Sequence, residues 1–306
     1  MAVSRINYRQ EAEMYSGWVS INDEIVAAED AKISVFDRGF LFGDSVFETM
    51  RLYGSKPFAL SEHLKRLRAS GGKIGFDIPW GQEALGLTCS RLSRAAKLDS
   101  ALIRLIATRG QGAFGVELDE LLDPQLVCIL QPLPPLPDEM YQVGRSARLV
   151  GVRRNLVEAI DPQAKTGNYM NNLLAMREAR QYGYDEPIML DHRGRVAESS
   201  TANIFVLLDN CWCTPPLEVG ILAGITRETI FKIGRLRGFQ VEERVLWPDD
   251  LRCADEMFLC SSVREILPVV SVDDRPVGRA KVGTHTQALL QWYRDFAQEQ
   301  ACWDWD

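Results

Sequence analysis

One short run, Pro132-Leu133-Pro134-Pro135-Leu136-Pro137, constrains this chain more than any other stretch. Each proline locks φ and removes a backbone donor, so neither a helix interior nor the middle of a sheet can run through it. The segments on either side of the run must each close their own hydrogen-bond ladders. With 306 residues there is enough chain on both sides for a separate core. The expected organisation is a small N-terminal α+β domain over 1–133, a proline-rich linker over 134–140, and a larger C-terminal mixed α/β domain over 141–306.

Periodicity fills in the two halves. Trp18–Ile21 reads as a strand closed by the turn pair Asn22-Asp23, and Ser34–Phe36 and Ser45–Tyr53 read as further strands. Leu60–Ser70 has helical spacing and should stop before Gly71-Gly72; Ala101–Thr108 and Leu126–Leu130 are apolar, strand-like runs. Beyond the prolines, Ala147–Arg153 is strand-like, Met170–Tyr182 is a helix, and two short strands flank the turn Asp191-His192-Arg193-Gly194. Gly224–Arg237 and Val282–Gln298 read as helices, with Glu256–Cys260 and Val269–Val272 as strands between them.

Composition excludes several classes of function. The net charge of -7 disfavours general nucleic-acid binding, which needs clustered Lys and Arg to neutralise phosphates. Seven cysteines at irregular spacing and only three histidines suit a reducing cytoplasm. The pair Cys211 and Cys213, one residue apart around Trp212, has no common zinc-knuckle spacing, so no metal is expected. The N-terminus lacks an apolar signal core and no stretch is long and apolar enough to span a membrane, so neither export nor membrane insertion is expected.

The residues that carry chemistry are individually ordinary. Lys165, in Ala164-Lys165-Thr166-Gly167-Asn168-Tyr169, lies just before a helix, where partial desolvation would shift its amine toward the neutral nucleophile that attacks a carbonyl. Glu198, in Val196-Ala197-Glu198-Ser199-Ser200-Thr201-Ala202-Asn203-Ile204-Phe205, is a carboxylate between strand-like segments that could keep a pyridine nitrogen protonated. Leu222-Ala223-Gly224-Ile225-Thr226 opens a helix with free N–H groups suited to a phosphate, Arg66 offers a guanidinium fork, and Ser261-Ser262 offer hydroxyls. Alone, each is equally an exposed lysine, a strand-end glutamate, a helix cap or an ordinary polar side chain at the surface.

Their joint order and spacing resemble the class IV aminotransferase family of fold-type IV, which includes branched-chain amino acid aminotransferases, D-amino acid aminotransferases and aminodeoxychorismate lyases. The likeness runs from Trp18 to Val272 and is strongest at Phe40–Glu48, Glu62–Leu67, Lys165–Tyr169, Glu198–Phe205 and Gly220–Arg227. It implies pyridoxal 5'-phosphate carried covalently by Lys165, a ring-nitrogen partner at Glu198, and a phenol near the cofactor oxygen at Tyr169. It also implies phosphate contacts from Arg66, Ile225, Thr226 and Ser262 with Ser261 beside it, Leu222 against the ring, and Asn203 in support. The implied protein is a homodimer, with the Gly112–Gly115 loop reaching toward a neighbour.

Strand alternation divides the substrate side into faces. On Ser45–Tyr53, Phe47, Thr49, Arg51 and Tyr53 share one face; on Ala101–Thr108, Leu102, Arg104 and Ile106 do. In branched-chain enzymes the matching faces line the substrate pocket, so the resemblance implies Phe42, Phe47, Thr49, Arg51, Leu102, Arg104 and Val263 as substrate residues. Phe47, Arg51 and Arg104 match the branched-chain pattern, whereas Leu102 stands in place of a tyrosine and Thr49 in place of a glycine. The D-amino acid branch usually carries an arginine and a histidine after Thr-Arg-Gly, but here Thr108-Arg109-Gly110 leads into Gln111–Gly115. The expected activity moves an amino group between an apolar, branched-chain-like amino acid and a 2-oxo acid such as 2-oxoglutarate or pyruvate. A D-amino acid or (R)-amine transaminase and an aminodeoxychorismate lyase stay open as alternatives.

Overall fold

The computed structural model describes residues 17–112, 115–117, 123–133 and 137–305. In the first half, β1 (Trp18–Ile21), β2 (Glu24–Ala27), α1 (Arg38–Phe42), β3 (Ser45–Tyr53), β4 (Lys56–Pro57), α2 (Leu60–Lys73), α3 (Gln82–Ala96), β5 (Ala101–Gln111) and β6 (Asp123–Pro132) come in that order. Their strands form a six-stranded sheet in the order β2-β1-β6-β5-β3-β4, antiparallel throughout. The second half contributes α4 (Asp138–Val143), β7 (Arg145–Leu149), α5 (Met170–Gln181), β8 (Glu186–Ile188), β9 (Asn203–Leu208), β10 (Cys211–Thr214), α6 (Ile225–Arg237) and β11 (Val241–Glu243). It closes with α7 (Pro248–Cys253), β12 (Glu256–Ser261), β13 (Glu265–Val272), β14 (Arg275–Pro276) and α8 (Thr284–Gln300). These strands make a mixed eight-stranded sheet, β11-β10-β9-β12-β13-β7-β8, with β14 on β13.

Each sheet has its own core. Val46, Met50 and Leu52 of β3 and Ile103 and Leu105 of β5 pack on Leu64 and Leu67 of α2 and Leu85, Cys89 and Leu92 of α3. The second core joins Ile204–Leu208, Phe258 and Leu267 to Ile230 and Ile233 of α6 and Leu289 and Tyr293 of α8. Among the described residues no strand crosses the proline run. The chain end departs from the division expected at 134–140, because Trp303 and Trp305 return to the first core and Trp305 lies against Gly86 of α3, where a Cβ would sit 2.3 Å from the indole. Residues 134–136 of the linker lie outside the described residues, and Pro137 caps α4, so the linker's last residues are helical.

Several sequence expectations are corrected. Ser34–Phe36 is not a strand: Ser34 accepts from the amides of Phe36 and Asp37, and Asp37 then caps α1 through Gly39 N at 2.7 Å, so local side-chain turns outcompete pairing. Helix α2 runs through Gly71-Gly72 to Lys73; Gly71 is there for close approach, since a Cβ would lie 2.6 Å from the Phe76 carbonyl. Strand β7 ends at Leu149 because Gly151 and Val152 turn their amides onto Glu178. Around Asp191–Gly194 only the bridge Leu190↔Val196 forms, with Asp191 accepting the amides of Arg193 and Arg195. Helix α3 has no clear sequence signal because Ser90 and Ser93 share its buried face with the apolar residues.

Candidate active site

Alternation on β3 sends its side chains two ways. Val46, Met50 and Leu52 enter the core beneath the sheet, and Glu48 goes with them, fully buried. A buried carboxylate needs compensating donors, and α2 supplies them. Arg66 gives Nε at 2.7 Å and Nη2 at 2.7 Å, and His63 gives Nδ1 at 2.7 Å. Burial alone would raise the pKa of Glu48, but Arg66 and His63 outweigh it and hold the group well below the usual carboxylate range. Burial lowers the pKa of His63, which with Nδ1 donating to Glu48 leaves Nε2 as acceptor for the Ser262 hydroxyl at 3.4 Å.

The other face of β3 looks into a cavity of about 560 Å³ between the two sheets. Phe47 and Thr49 line it with Leu102 and Arg104 of β5 and Ile129 and Gln131 of β6. Register explains the set, because Thr49 pairs with Arg104, Arg104 with Ile129, and Leu102 with Gln131.

Lys165 is presented to this cavity by a segment that runs along β3. Phe47 N donates to the Lys165 carbonyl at 3.0 Å and Gly167 N to the Ser45 carbonyl at 2.9 Å. A Cβ on Gly167 would lie 2.4 Å from Ser45 Oγ, so glycine permits the approach. Lys165 Nζ sits 4.3 Å from the centre of the Phe47 ring and 5.7 Å from that of Tyr169, and Arg104 lies 3.9 Å from the Phe47 ring centre. Burial pushes the Lys165 amine down to about 8; Arg66 and Arg104 act the same way, while Glu48 and Glu198 oppose them. Burial raises the Tyr169 phenol, with Glu198 adding to it, so the hydroxyl keeps its proton.

Glu198 lines the cavity with Lys165 and Tyr169. Arg154 Nε donates to its Oε1 at 2.8 Å, and Leu222 N to its Oε2 at 3.1 Å, with Asn203 Nδ2 at 3.4 Å. Asn203 also holds the Leu222 carbonyl at 2.9 Å, and Gly224 leaves room for that amide, since a Cβ there would fall 2.0 Å from Asn203 Oδ1. Arg66 of α2, Ile225 and Thr226 at the α6 start, Ser261 at the end of β12, and Ser262 and Val263 in the turn to β13 line the same cavity. Arg66 Nη1 donates to Ala223 O at 2.9 Å, which ties α2 to the α6 entry.

The structure thus brings together Lys165, Arg66, Tyr169, Glu198, Asn203, Leu222, Ile225, Thr226, Ser261, Ser262, Phe47, Thr49, Leu102, Arg104 and Val263. Two expected substrate residues lie elsewhere. Arg51 shares the Phe47 face but is drawn 3.0 Å from buried Glu265, and Phe42 is 38% exposed with Arg38 over its ring. Neither lines the cavity. Sequence reasoning missed Arg154, Glu48 and His63 as site residues, and Ile129 and Gln131 as lining. Alternation along Leu126–Leu130 carried a signal for Ile129, but nothing near Arg154 marked it as the partner of Glu198. Ser200 was also missed; its hydroxyl is buried at the cavity without a hydrogen-bond partner.

A family model described as class IV amino-transferase matches residues 45–272. The chain is 38% identical over 277 residues to a Methanocaldococcus jannaschii protein assigned as a branched-chain-amino-acid aminotransferase, covering 90% of this chain and 95% of that one. The solved Escherichia coli branched-chain amino acid aminotransferase superposes with a TM-score of 0.86 at 32% identity, covering 94% of this chain and 97% of the other. The Thermobaculum terrenum branched-chain amino acid aminotransferase, solved in its PLP-bound holo form, gives a TM-score of 0.83 at 28% identity, over 92% and 94% of the two chains. Sequence and fold agree over most of the chain's length, and the protein belongs to the class IV aminotransferase family.

Proposed function

We propose that this chain is a pyridoxal-phosphate-dependent aminotransferase that moves an amino group between an apolar, branched-chain-like amino acid and a 2-oxo acid such as 2-oxoglutarate or pyruvate. The observation that carries the reading is the order of groups in one cavity: an anion-binding end, an amine of lowered pKa, and a buried carboxylate. This donor set fits a phosphorylated pyridine aldehyde, and the unpartnered Ser200 hydroxyl is one more polar group awaiting a ligand there.

Arg66, Thr226, Ser262 and the first amide of α6 would hold the phosphate, with Arg66 fixed in aim by Glu48. Glu198, held in place by Arg154 Nε and Leu222 N, would hold a proton on the ring nitrogen. Bound there, pyridoxal phosphate supplies the carbonyl that carries the amino group and a ring that takes up the electron pair of the broken C–H bond. Lys165 Nζ is the nucleophile toward that carbonyl and the base that takes the proton from the substrate's amine-bearing carbon. The Tyr169 hydroxyl would donate to the cofactor's ring oxygen, and Leu222 and Phe47, which line the cavity, would exclude water.

The proposal extends to a homodimer in the cytoplasm. Phe36 and Phe40 before and on α1, and Met170, Leu173 and Leu174 on α5, are exposed on either side of the contact between Asn168 Nδ2 and Gly43 O. An apolar surface of that kind marks an interface. Residues 113 and 114 of the loop expected to reach a neighbour lie outside the described residues. No described helix is long and apolar enough to cross a membrane, and all seven cysteines are free thiols, which suits a reducing compartment.

The test is turnover of the loaded enzyme with a panel of L-amino acids, D-amino acids and simple amines against 2-oxoglutarate and pyruvate, with Lys165→Ala in parallel. We expect leucine-like donors to react, and Lys165→Ala to lose on the order of 10⁴-fold of the rate. Normal turnover by Lys165→Ala would refute the central role. Leu102 and Thr49, which line the cavity, depart from the branched-chain pattern, so a second reading is the D-amino acid or (R)-amine transaminase, which reaction confined to those donors would establish. Cleavage of aminodeoxychorismate without amino transfer would establish the lyase.

A further inference from the structure

The edge of the second sheet holds a cluster that amino transfer does not use. Cys211 and Cys213 are two apart on β10, so both side chains leave the same face, and Glu242 of β11 pairs in register with Cys213. Both sulfurs and a carboxylate oxygen lie within 4.8 Å of one another, and Cys213 Sγ is 3.6 Å from Glu242 Oε1. Ligands at about 2.3 Å (sulfur) and about 2.1 Å (oxygen) from a tetrahedral ion stand roughly 3.6 Å apart, and two such sulfurs roughly 3.8 Å apart. Cys213 and Glu242 already stand at that separation, and Cys211 lies within 4.8 Å of both.

Access and charge point the same way. A recess of about 430 Å³ opens beside the cluster, lined by Cys211 and Glu242 with Phe231 and Phe239. Cys213 is buried, Cys211 is partly exposed, and Glu242 is exposed, so a cation can arrive from solvent and be held against the sheet. Two cations are near this group: Arg235 lines the recess, and Arg244 faces Cys213 with its side chain 45% exposed and 4.0 Å from Asp250, so it can swing aside. The one-residue cysteine spacing hid the cluster in the sequence, because its third donor comes from a neighbouring strand.

We propose that Cys211, Cys213 and Glu242 bind one thiophilic divalent cation, zinc in the cell, with water from the recess in the fourth position. On binding, each thiol releases its proton to solvent and forms one metal–sulfur bond, and the carboxylate contributes one oxygen. Two thiolates and one carboxylate around a divalent ion leave one net negative charge, which Arg244 faces. The ion ties β11, a three-residue edge strand, to β10. It stabilises the fold by binding the native chain and not the unfolded one.

Titration of the loaded enzyme with Cd²⁺ tests the site through the ultraviolet charge-transfer band of cadmium thiolates. We expect the band to saturate at one ion per chain, to be displaced by Zn²⁺, and to persist when the exposed Cys253 and Cys302 are both changed to serine. Cys211→Ser, at a partly exposed position that the fold tolerates, should abolish the band while amino transfer stays unchanged. Glu242→Gln should weaken binding at least about tenfold, as expected when a direct ligand is replaced by a neutral amide. A missing band, a band surviving Cys211→Ser, or a band lost in the Cys253→Ser/Cys302→Ser variant would overturn the proposal.

Discussion

Glu48 and Glu198 are both buried glutamates close enough to influence the same lysine, yet they are used in opposite ways. Three side-chain bonds from α2 hold Glu48, and it does not line the cavity. Its charge serves the protein by fixing Arg66 and His63. Glu198 lines the cavity, held by one guanidinium, one backbone amide and a long contact from Asn203. It keeps accepting capacity for a ligand. Burial alone therefore does not mark a functional carboxylate; what distinguishes the two is that Glu198 lines the cavity and Glu48 does not.

The largest expected effect comes from exchanging each carboxylate for its amide. Glu198→Gln should keep the fold at some cost in stability, since buried Arg154 loses its counter-charge, and lose on the order of 10²- to 10³-fold in turnover, as when a charge aimed at the reacting group is removed. Glu48→Gln should cost about 3 to 5 kcal/mol of stability in denaturant unfolding, because Arg66 and His63 stay buried without their counter-charge. Its phosphate affinity should fall with it. If Glu48→Gln were as stable as wild type while Glu198→Gln unfolded, the assignment of roles would be reversed.

The same contrast explains what could be read from the sequence. Glu198 and Lys165 were legible because each sits in a contiguous stretch whose residues share one task. So were the strands whose side chains alternate, β3 and β5, and hence Phe47, Thr49, Leu102 and Arg104. Glu48 was seen only as part of a stretch: its burial depends on which β3 face meets α2, a choice made by tertiary packing. Arg154 reaches Glu198 across 44 residues with no local signature. Arg51 failed for the opposite reason, because its face was read correctly but buried Glu265 captures it.

Arg104 and Arg51 extend the comparison to cations, with a smaller expected effect. Among the described residues no carboxylate pairs with Arg104, which faces the cavity over Phe47, whereas Glu265 binds Arg51 and Arg294. Arg104→Leu should reduce kcat/KM for carboxylated substrates by roughly ten- to a hundredfold, from charge-assisted bonds of about 1.5 to 3 kcal/mol, and spare a simple aryl amine. Arg51→Leu should lower stability and change both substrates alike. Equal losses on leucine and the amine for Arg104→Leu would remove it from the carboxylate site.

The smallest expected effect, and the finest test of the two glutamates, lies in the titration of Lys165. With its pKa near 8 in place of 10.5, its neutral fraction rises about tenfold per pH unit up to 8 and then levels off. Covalent capture of pyridoxal phosphate by the apo chain, fixed with borohydride, should track that curve. The sign for stability comes from the same shift. Between about 8 and 10.5 the unfolded lysine holds a proton that the folded one has lost, so apo stability rises with pH through that window and is lowest below 8. Glu198 raises the pKa of Lys165, but less than Glu48 does. Glu198→Gln should therefore move the break in the capture curve downward by less than about one unit, even though its turnover collapses. Slow turnover with a nearly unmoved break means that Glu198 acts on the bound ring and not on the lysine. A break displaced by several units would instead make Glu198 the main control of the amine, and the division of labour between the two carboxylates would fail.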